Sequence, residues 1–466
     1  MMRASSRHLW DSSSTYLGSL IDGLTKRSRN FLQRSGYALS DPAQANLVAL
    51  SEALLSRRGE ASGVVLAQEL LTAYRWAPDE KKFEFLVALA SQFGPQPERV
   101  ERAIGALRKD PRPETLSAIH AASEPRRQAL IRRLNLAPGG TKALIDMRED
   151  LLSHLSEHPE LRSLDDDFAH LFASWFNRGF LVLRPIDWTS PANILEKIIQ
   201  YEAVHEIRDW EDLRNRLQPS DRRCYAFFHP QLIDEPLIFV EVALTRDIPG
   251  HIEPLLDVER EAILDYEATT AVFYSISNTQ KGLRGVSFGN FLIKQVVETL
   301  KAELPGLKTF VTLSPVPGFA GWLKLARQSN NPAFAELALI DKLALLDRTG
   351  WTDDPAVVAE LQPGLQRAAA YYFLHAKNGR GRPVDPVAQF HLGNGARLER
   401  LNHFGDRSPK GLKQSHGLMV NYLYQLDEIE ANHEAFAEGG VIASTPAIRK
   451  LLPARKQPTE LKIPKA

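Results

Sequence analysis

Thr309 to Arg327, TFVTLSPVPGFAGWLKLAR, begins as a strand, breaks at a serine inside a Pro- and Gly-laced turn, and resumes as a helix. Phe310, Val311, Thr312 and Leu313 are apolar or β-branched and favour extended backbone, while Pro315 and Pro317 deny the next residues ladder donors and helix continuation. Ser314 therefore sits at the carboxyl end of a strand. Beyond Gly318 the apolar residues Phe319, Trp322, Leu323 and Ala326 recur at the three-and-four spacing of a helix face. In an α/β sheet a strand end before a helix is where ligands usually bind, so Ser314 is a candidate site residue. A serine in a Pro- and Gly-laced turn is equally an ordinary structural residue, and only the rest of the chain decides between the two.

The chain around this stretch changes texture near Phe180. Residues 1 to 40 are polar and Ser-rich and read as an amino-terminal arm with a helix in it. From Asp41 to about residue 180 the pattern is helical, with breaks at Gly59, Pro78, Gly94 to Pro97, Asp110 to Pro113, Pro125, Pro138 to Gly140 and Pro159. Each break closes a segment of helical length, and apolar stripes such as Phe83, Leu86, Val87 and Ala90 require a partner face, so six to eight short helices form a bundle suited to oligomerisation. From 181 to 466 β-branched runs alternate with helical ones: Cys224 to Phe228, Leu237 to Thr245, Thr270 to Ile276, a helix from about Phe288, a helix from Leu361, and a strand from Leu418 to Leu426. In the last strand Leu418, Val420, Tyr422, Tyr424 and Leu426 share one face. The fold class is α+β, an all-α helical bundle followed by a domain in which strands and helices alternate.

Composition narrows the function. The 57 basic and 57 acidic residues cancel, which argues against a nucleic-acid binder built on phosphate neutralisation. No apolar run reaches the roughly 20 residues that cross a bilayer. The single cysteine, Cys224, excludes an intrachain disulfide and reads as a buried free thiol. The Arg- and Ser-rich start resembles a transit peptide but is interrupted by Asp11 and Asp22, and Pro464, Lys465 and Ala466 spell no peroxisomal address, so a cytoplasmic protein is expected. His391, His403, His416 and His433 lack metal-ligand spacing, so no metal site is expected.

Two constellations carry chemistry. Ser277 to Asn290 forms a glycine-bearing loop between a strand and a helix, with Lys281 and Arg284 in it and Gly285 and Gly289 allowing close backbone approach. Free N–H groups at the helix start and the helix dipole make it suited to a pyrophosphate, although its spacing is neither a P-loop nor a dinucleotide fingerprint. Strand, loop, helix, then a strand ending at Ser314 and another helix is the element order of the N-acetyltransferase superfold, whose loop holds coenzyme A. Arg284, Gly285, Val286, Ser287, Phe288 and Gly289 resemble its Arg/Gln-x-x-Gly-x-Gly/Ala loop, departing at Ser287. The second constellation is FHLGNGARLERLN after Asp385-Pro386. The cap and proline start a short helix that Gly393 and Gly395 end, leaving His391 in its last turn and Asn394 between glycines that permit close approach to a ligand. A histidine there is a natural proton donor or acceptor, or simply a cap for helix carbonyls.

YEAVH (201–205), RRCYAFFHP (222–230), AVFYSISNTQKGLRGVSFGNFLIK (271–294), LSPVPGF (313–319), FHLGNGARLERLN (390–402) and GLMVNYLY (417–424) closely resemble, in the same order, the malonyl-CoA decarboxylase family. The resemblance implies release of CO2 from malonyl-CoA to give acetyl-CoA with no metal or other cofactor, and a tetramer. It implies Ser314 and His391 as the catalytic pair, with Tyr424 beside them; the glycine-bearing loop then places the substrate's coenzyme A on Lys281, Arg284, Gly285, Val286, Ser287, Phe288, Gly289 and Asn290, and the glycines around Asn394 place that residue near the malonyl group. Some members carry an acidic residue where this chain has Ser287, so no carboxylate role carries over there.

The chemistry then expected is stabilisation of an enolate by preorganised donors. Ser314 orients the carboxylate or enolate, and a protonated His391 supplies charge and then protonates carbon. A covalent serine is the weaker reading, because no orienting carboxylate is identifiable. Acyl transfer from CoA to an amine, or a malonyl-CoA-binding regulatory protein without turnover, are the alternatives.

Overall fold

A computed structural model describes residues 45–56, 60–286, 292–328, 341–379 and 381–452. The amino-terminal arm and the loop residues Ser287, Phe288, Gly289 and Asn290 lie outside the described residues. The chain divides into two compact units, one of residues 1–181, 229–233 and 280–288 and one of the remainder.

The first unit is helical: α1 (Leu47–Ser56), α2 (Glu60–Trp76), α3 (Asp79–Gln92), α4 (Pro97–Lys109), α5 (Pro113–Ser123), α6 (Arg126–Leu134), α7 (Gly140–His154) and α8 (Arg162–Trp175). Prolines at the first position start α4 and α5, where a missing N–H costs nothing. Leu66, Leu70, Phe85, Leu86, Leu89, Leu130, Leu144, Phe168 and Phe172 form its buried core. Gly140 packs where any Cβ would lie 2.2 Å from the Leu134 carbonyl oxygen, so that turn admits only glycine.

The second unit is a mixed sheet clad by helices. Its strands are β1 (Val182–Ile186), β2 (Arg222–Phe228), β3 (Pro236–Thr245), β4 (Thr270–Asn278), β5 (Thr309–Thr312), β6 (Ser314–Pro315), β7 (Arg397–Asn402) and β8 (Met419–Leu423), in the order β1-β2-β3-β4-β5-β8-β6 with β7 also on β8. The helices are α9 (Ala192–Tyr201), α10 (Trp210–Leu217), α11 (Glu253–Leu256), α12 (Leu292–Glu303), α13 (Phe319–Gln328), α14 (Pro355–Leu374), α15 (Pro386–Gly393), α16 (Pro409–Ser415), α17 (Ile429–Gly439) and α18 (Pro446–Arg449). Ile194, Leu195 and Ile198 of α9 and Leu213 and Leu217 of α10 pack with Cys224, Ala226, Phe228 and Phe239 of the sheet. Cys224 is free and buried there, and burial pushes its thiol well up.

Among the described strands the pairings are antiparallel except β4 with β5, which run parallel from Thr270↔Thr309 to Phe273↔Thr312. Past Phe273 these two strands part, because β4 continues to Asn278 while the chain after Thr312 crosses to β8, with Ser314 opposite Val420. This is the acetyltransferase-like α+β arrangement expected from the order of elements. A bulge on β4, where Glu241 faces Ser275 and Val242 faces Phe273, leaves Tyr274 without a ladder partner and bends the strand beside the gap.

Two boundaries differ from the periodicity. α14 starts at Pro355, not Leu361, because the Asp354 carboxylate accepts from the N–H groups of Ala356 and Val357, and Pro363 is carried inside the helix. β7, with Arg397, Glu399 and Arg400, is too polar to read as a strand and exists by pairing with β8.

Candidate active site

The proline turn places Ser314 by tying it on both sides. The Leu313 N–H donates to the Phe273 carbonyl at 3.0 Å, and Ser314 itself joins β8. Val316 is fully buried in the same turn, so the serine side chain has little freedom. His391 arrives on α15. Asp385 caps that helix, its Oδ1 accepting from the Ala388 N–H at 2.8 Å, and Pro386 occupies the first position. Tyr424 follows β8 and is held by its N–H donating to the Phe310 carbonyl at 2.8 Å.

These three elements bring their side chains into one line. Ser314 Oγ lies 3.2 Å from His391 Nε2, and His391 Nδ1 lies 2.8 Å from the Tyr424 hydroxyl. The Tyr422 ring stacks on the imidazole with centroids 4.6 Å apart and planes 24° from parallel. Period-2 spacing on β8 thus sends Tyr422 and Tyr424 to the same histidine, as their shared face predicts. Ser314 and His391 open on a cavity of about 250 Å³ in the gap between the parted strands, walled by Val204, Phe273, Ile276 and Phe390, with Asn278 at its polar side.

Burial decides the electrostatics. It pushes His391 down to about 3, since no carboxylate touches the ring to offset the loss of solvent. The imidazole is therefore neutral at pH 7 in this substrate-free state, whereas the sequence reading needs it protonated during the reaction. Burial also pushes the Tyr424 phenol well up, so it keeps its proton.

Asn394 does not face the cavity. Its Nδ2 donates to the Phe390 carbonyl at 2.7 Å and its N–H bonds back into α15, so it caps the helix. Gly395, at φ 82°, packs where any Cβ would lie 2.1 Å from the Ile429 carbonyl oxygen, so this glycine serves a backbone contact with α17 where ligand approach was expected. Of the expected coenzyme A loop, residues 281–286 are described, and they group with the helical unit. Arg148 of α7 donates to the carbonyls of Gly282 and Arg284 at 2.8 and 2.9 Å, Lys281 keeps an exposed ammonium 3.5 Å from Glu149, Gly285 has φ 78°, and Val286 is buried. Among the described residues no group of His, Cys, Asp or Glu is placed to hold a metal ion.

Sequence reasoning read Thr312 only as a strand former and gave Glu202 and Glu241 no role. Thr312 Oγ1 accepts from Ser314 Oγ at 2.9 Å. Glu202 accepts from the Ser275 hydroxyl, at 2.8 and 2.7 Å, and from the N–H groups of Val204 and His205, both at 2.8 Å, which sets the Val204 wall of the cavity. The available signal was a carboxylate inside the apolar run PLIFVEVALT of β3.

The fold and the site together define an acetyltransferase-like α+β protein with a hydroxyl, imidazole and phenol aligned at a strand parting. A family model described as the malonyl-CoA decarboxylase C-terminal domain matches residues 179–462, and one for the N-terminal domain matches residues 93–176. Among curated relatives, the mitochondrial malonyl-CoA decarboxylase of Anser anser anser is 37% identical over 388 residues, 76% of this chain and 77% of that protein. That of Rattus norvegicus is 34% identical over 409 residues, 80% and 82% of the two. Among solved structures, malonyl-CoA decarboxylase from Rhodopseudomonas palustris is 63% identical, covers 87% of this chain and 98% of its own, and superposes with a TM-score of 0.84. The Agrobacterium vitis structure gives 55%, 87%, 99% and 0.81. The chain belongs to the malonyl-CoA decarboxylase family. The cytoplasmic expectation is overturned by the curated relatives, which are named mitochondrial. It leaned on Asp11 and Asp22 in the Arg- and Ser-rich start.

Proposed function

We propose that the chain decarboxylates malonyl-CoA to acetyl-CoA and CO2 in the cavity at the parted strands, with Ser314 and His391 as the catalytic pair and Tyr424 behind them. The carrying observation is the 3.2 Å approach of Ser314 Oγ to His391 Nε2 at the wall of that cavity. Cleavage of the bond between the carboxylate carbon and C2 leaves its electron pair on the thioester enolate, and one proton must then reach C2. Hydroxyl and imidazole donors already fixed in place stabilise the enolate oxygen without reorganising, an effect worth about 3 kcal/mol for one donor. The apolar wall solvates a carboxylate poorly, so charge gains from moving toward those donors. The malonyl carboxylate, on entering, raises the proton affinity of His391. The proton consumed by the reaction is then taken up with substrate and passed to carbon. Lys281, Arg284, Gly285 and Val286, with the loop that follows, are read as the coenzyme A pyrophosphate site, residues 41–180 as the helical domain and 181–466 as the catalytic one. The helical domain is read as the seat of a tetramer, which sedimentation of the full chain tests.

Incubation with malonyl-CoA should release CO2 and acetyl-CoA in equal amounts with no acceptor present. An acyltransferase would instead release CoA only when an amine is added. Near-normal turnover by correctly folded Ser314→Ala and His391→Asn variants would sink the assignment of the pair.

A further inference from the structure

Four side chains form an unbroken chain at the cavity wall: Tyr424, His391, Ser314 and Thr312, with separations of 2.8, 3.2 and 2.9 Å. The direction in which their protons point decides what Ser314 can do, and each end of the chain fixes that direction independently. At one end the Tyr424 hydroxyl is buried among the described residues with His391 Nδ1 as its one partner, so its proton goes to Nδ1. An imidazole that accepts at Nδ1 and is neutral carries its proton on Nε2. At the other end Ser314 has one proton, and the geometry directs it to Thr312 Oγ1. Nε2 can then contact Ser314 only as a donor, which again requires the Nε2–H form. The reverse arrangement, with Ser314 donating to Nε2, would make Nδ1–H point at the phenol and leave the buried phenolic proton without an acceptor among the described residues.

Thr312 is held rigidly enough to act as the terminus of such a chain. It is fully buried, its Oγ1 also accepts from the Tyr422 N–H at 3.1 Å, and its carbonyl accepts from Asn421 Nδ2 at 2.7 Å. Asn421 is fixed in turn by Arg400 and Asn402, which donate to its Oδ1 at 3.0 and 2.8 Å.

We infer that Thr312 is a positioning residue for the reaction, accepting the Ser314 proton and thereby locking His391 as the Nε2–H tautomer, a donor toward Ser314 and not its base. This rests on the reading of Ser314 and His391 as the reacting pair. It gives Ser314 the role of an oriented donor whose proton, with that of Nε2, turns to substrate oxygen when substrate enters. A serine whose proton points away from the imidazole is not an activated nucleophile.

Two measurements test it. In the full chain with ¹⁵N-labelled histidine, two-bond proton–nitrogen correlations at pH 7.5 should show the His391 ring, assigned by its disappearance in His391→Asn, as the Nε2–H form. An Nδ1–H form or an imidazolium would overturn the proposal. Thr312→Val should lower kcat about tenfold, the loss of one hydrogen bond, with KM within about twofold, and Thr312→Ser should restore it. Wild-type kcat in a folded Thr312→Val would also overturn it. If Thr312→Val does not fold, the wild-type spectrum decides. The spectrum needs no turnover, so failure of decarboxylation itself would appear separately, as absence of CO2 from the wild-type chain.

Discussion

The cluster around Ser314 and the cluster around Glu241 are buried alike in the sheet unit and differ in charge. Ser314, His391, Tyr424 and Thr312 bond to one another through hydroxyls and a neutral ring. Around Glu241, Arg216 donates to Glu241 Oε2 at 3.1 Å, to Asp212 Oδ1 at 3.2 Å and to the His205 carbonyl at 2.9 Å. Burial, with the Glu202 carboxylate nearby, pushes Glu241 up to about 8. The second cluster has its charges matched from within and spends them on holding the 202–217 segment to β3 and β4. The first carries no charge of its own, and its neutrality is what makes it responsive, because the charge it has to meet comes in with the substrate. A buried ion pair in its place would already be engaged.

The comparison breaks most readily at His391. His391→Asn should lower kcat by about 10³, within the usual range for a lost general acid, with thermal unfolding at pH 7 little changed. Arg216→Met should do the opposite: stability to urea falls by about 3–5 kcal/mol, since Asp212 loses its counter-charge and Glu241 loses its hydrogen-bond donor, while kcat per folded molecule stays near wild type. A large kcat loss in the folded fraction would show that the charged cluster shares in the chemistry. Tyr424→Phe should cost about tenfold in kcat, the worth of one hydrogen bond, with KM little altered.

A further contrast is in the pH dependence of stability, where the two clusters have opposite slopes. His391 is neutral when folded down to about 3 but protonates near 6.5 when unfolded, so the unfolded chain binds more protons and stability falls as pH drops below about 6.5. Glu241 keeps its proton up to about 8 when folded but loses it near 4.5 when unfolded, so its contribution to stability falls as pH rises between those values. Urea midpoints measured from pH 4 to 8 should therefore show a shallower acid limb in His391→Asn and a shallower neutral limb in Glu241→Gln. Equal slopes in wild type and His391→Asn would mean that His391 is not held neutral by burial.

Much of the fold was legible locally. Phe319, Leu323 and Ala326 are the buried stripe of α13, as their spacing requires, and Asp385 with Pro386 starts α15 as a cap and first-turn proline should. These features depend on neighbours within a turn or two, which is the range over which sequence acts directly. The site was legible in part: the resemblance pointed to Ser314, His391 and Tyr424, and the face shared by Tyr422 and Tyr424 followed from strand period alone. The glycines around Asn394 were ambiguous in sequence, because such residues look alike whether they admit a ligand or, as Gly395 does, the Ile429 backbone.

What the sequence determined by itself was the set of pieces: a helical stretch, a strand ending in a serine, a helix ending in a histidine, and the family they spell. Only the tertiary structure decided how those pieces act. Ser314 and His391 are 77 residues apart and meet because β5 leaves β4 for β8 at Thr312, and no local pattern encodes that distance. The neutrality of His391 and the direction of its hydrogen bonds follow from complete burial and from partners on three separate elements, quantities that exist only once the chain has closed around the ring.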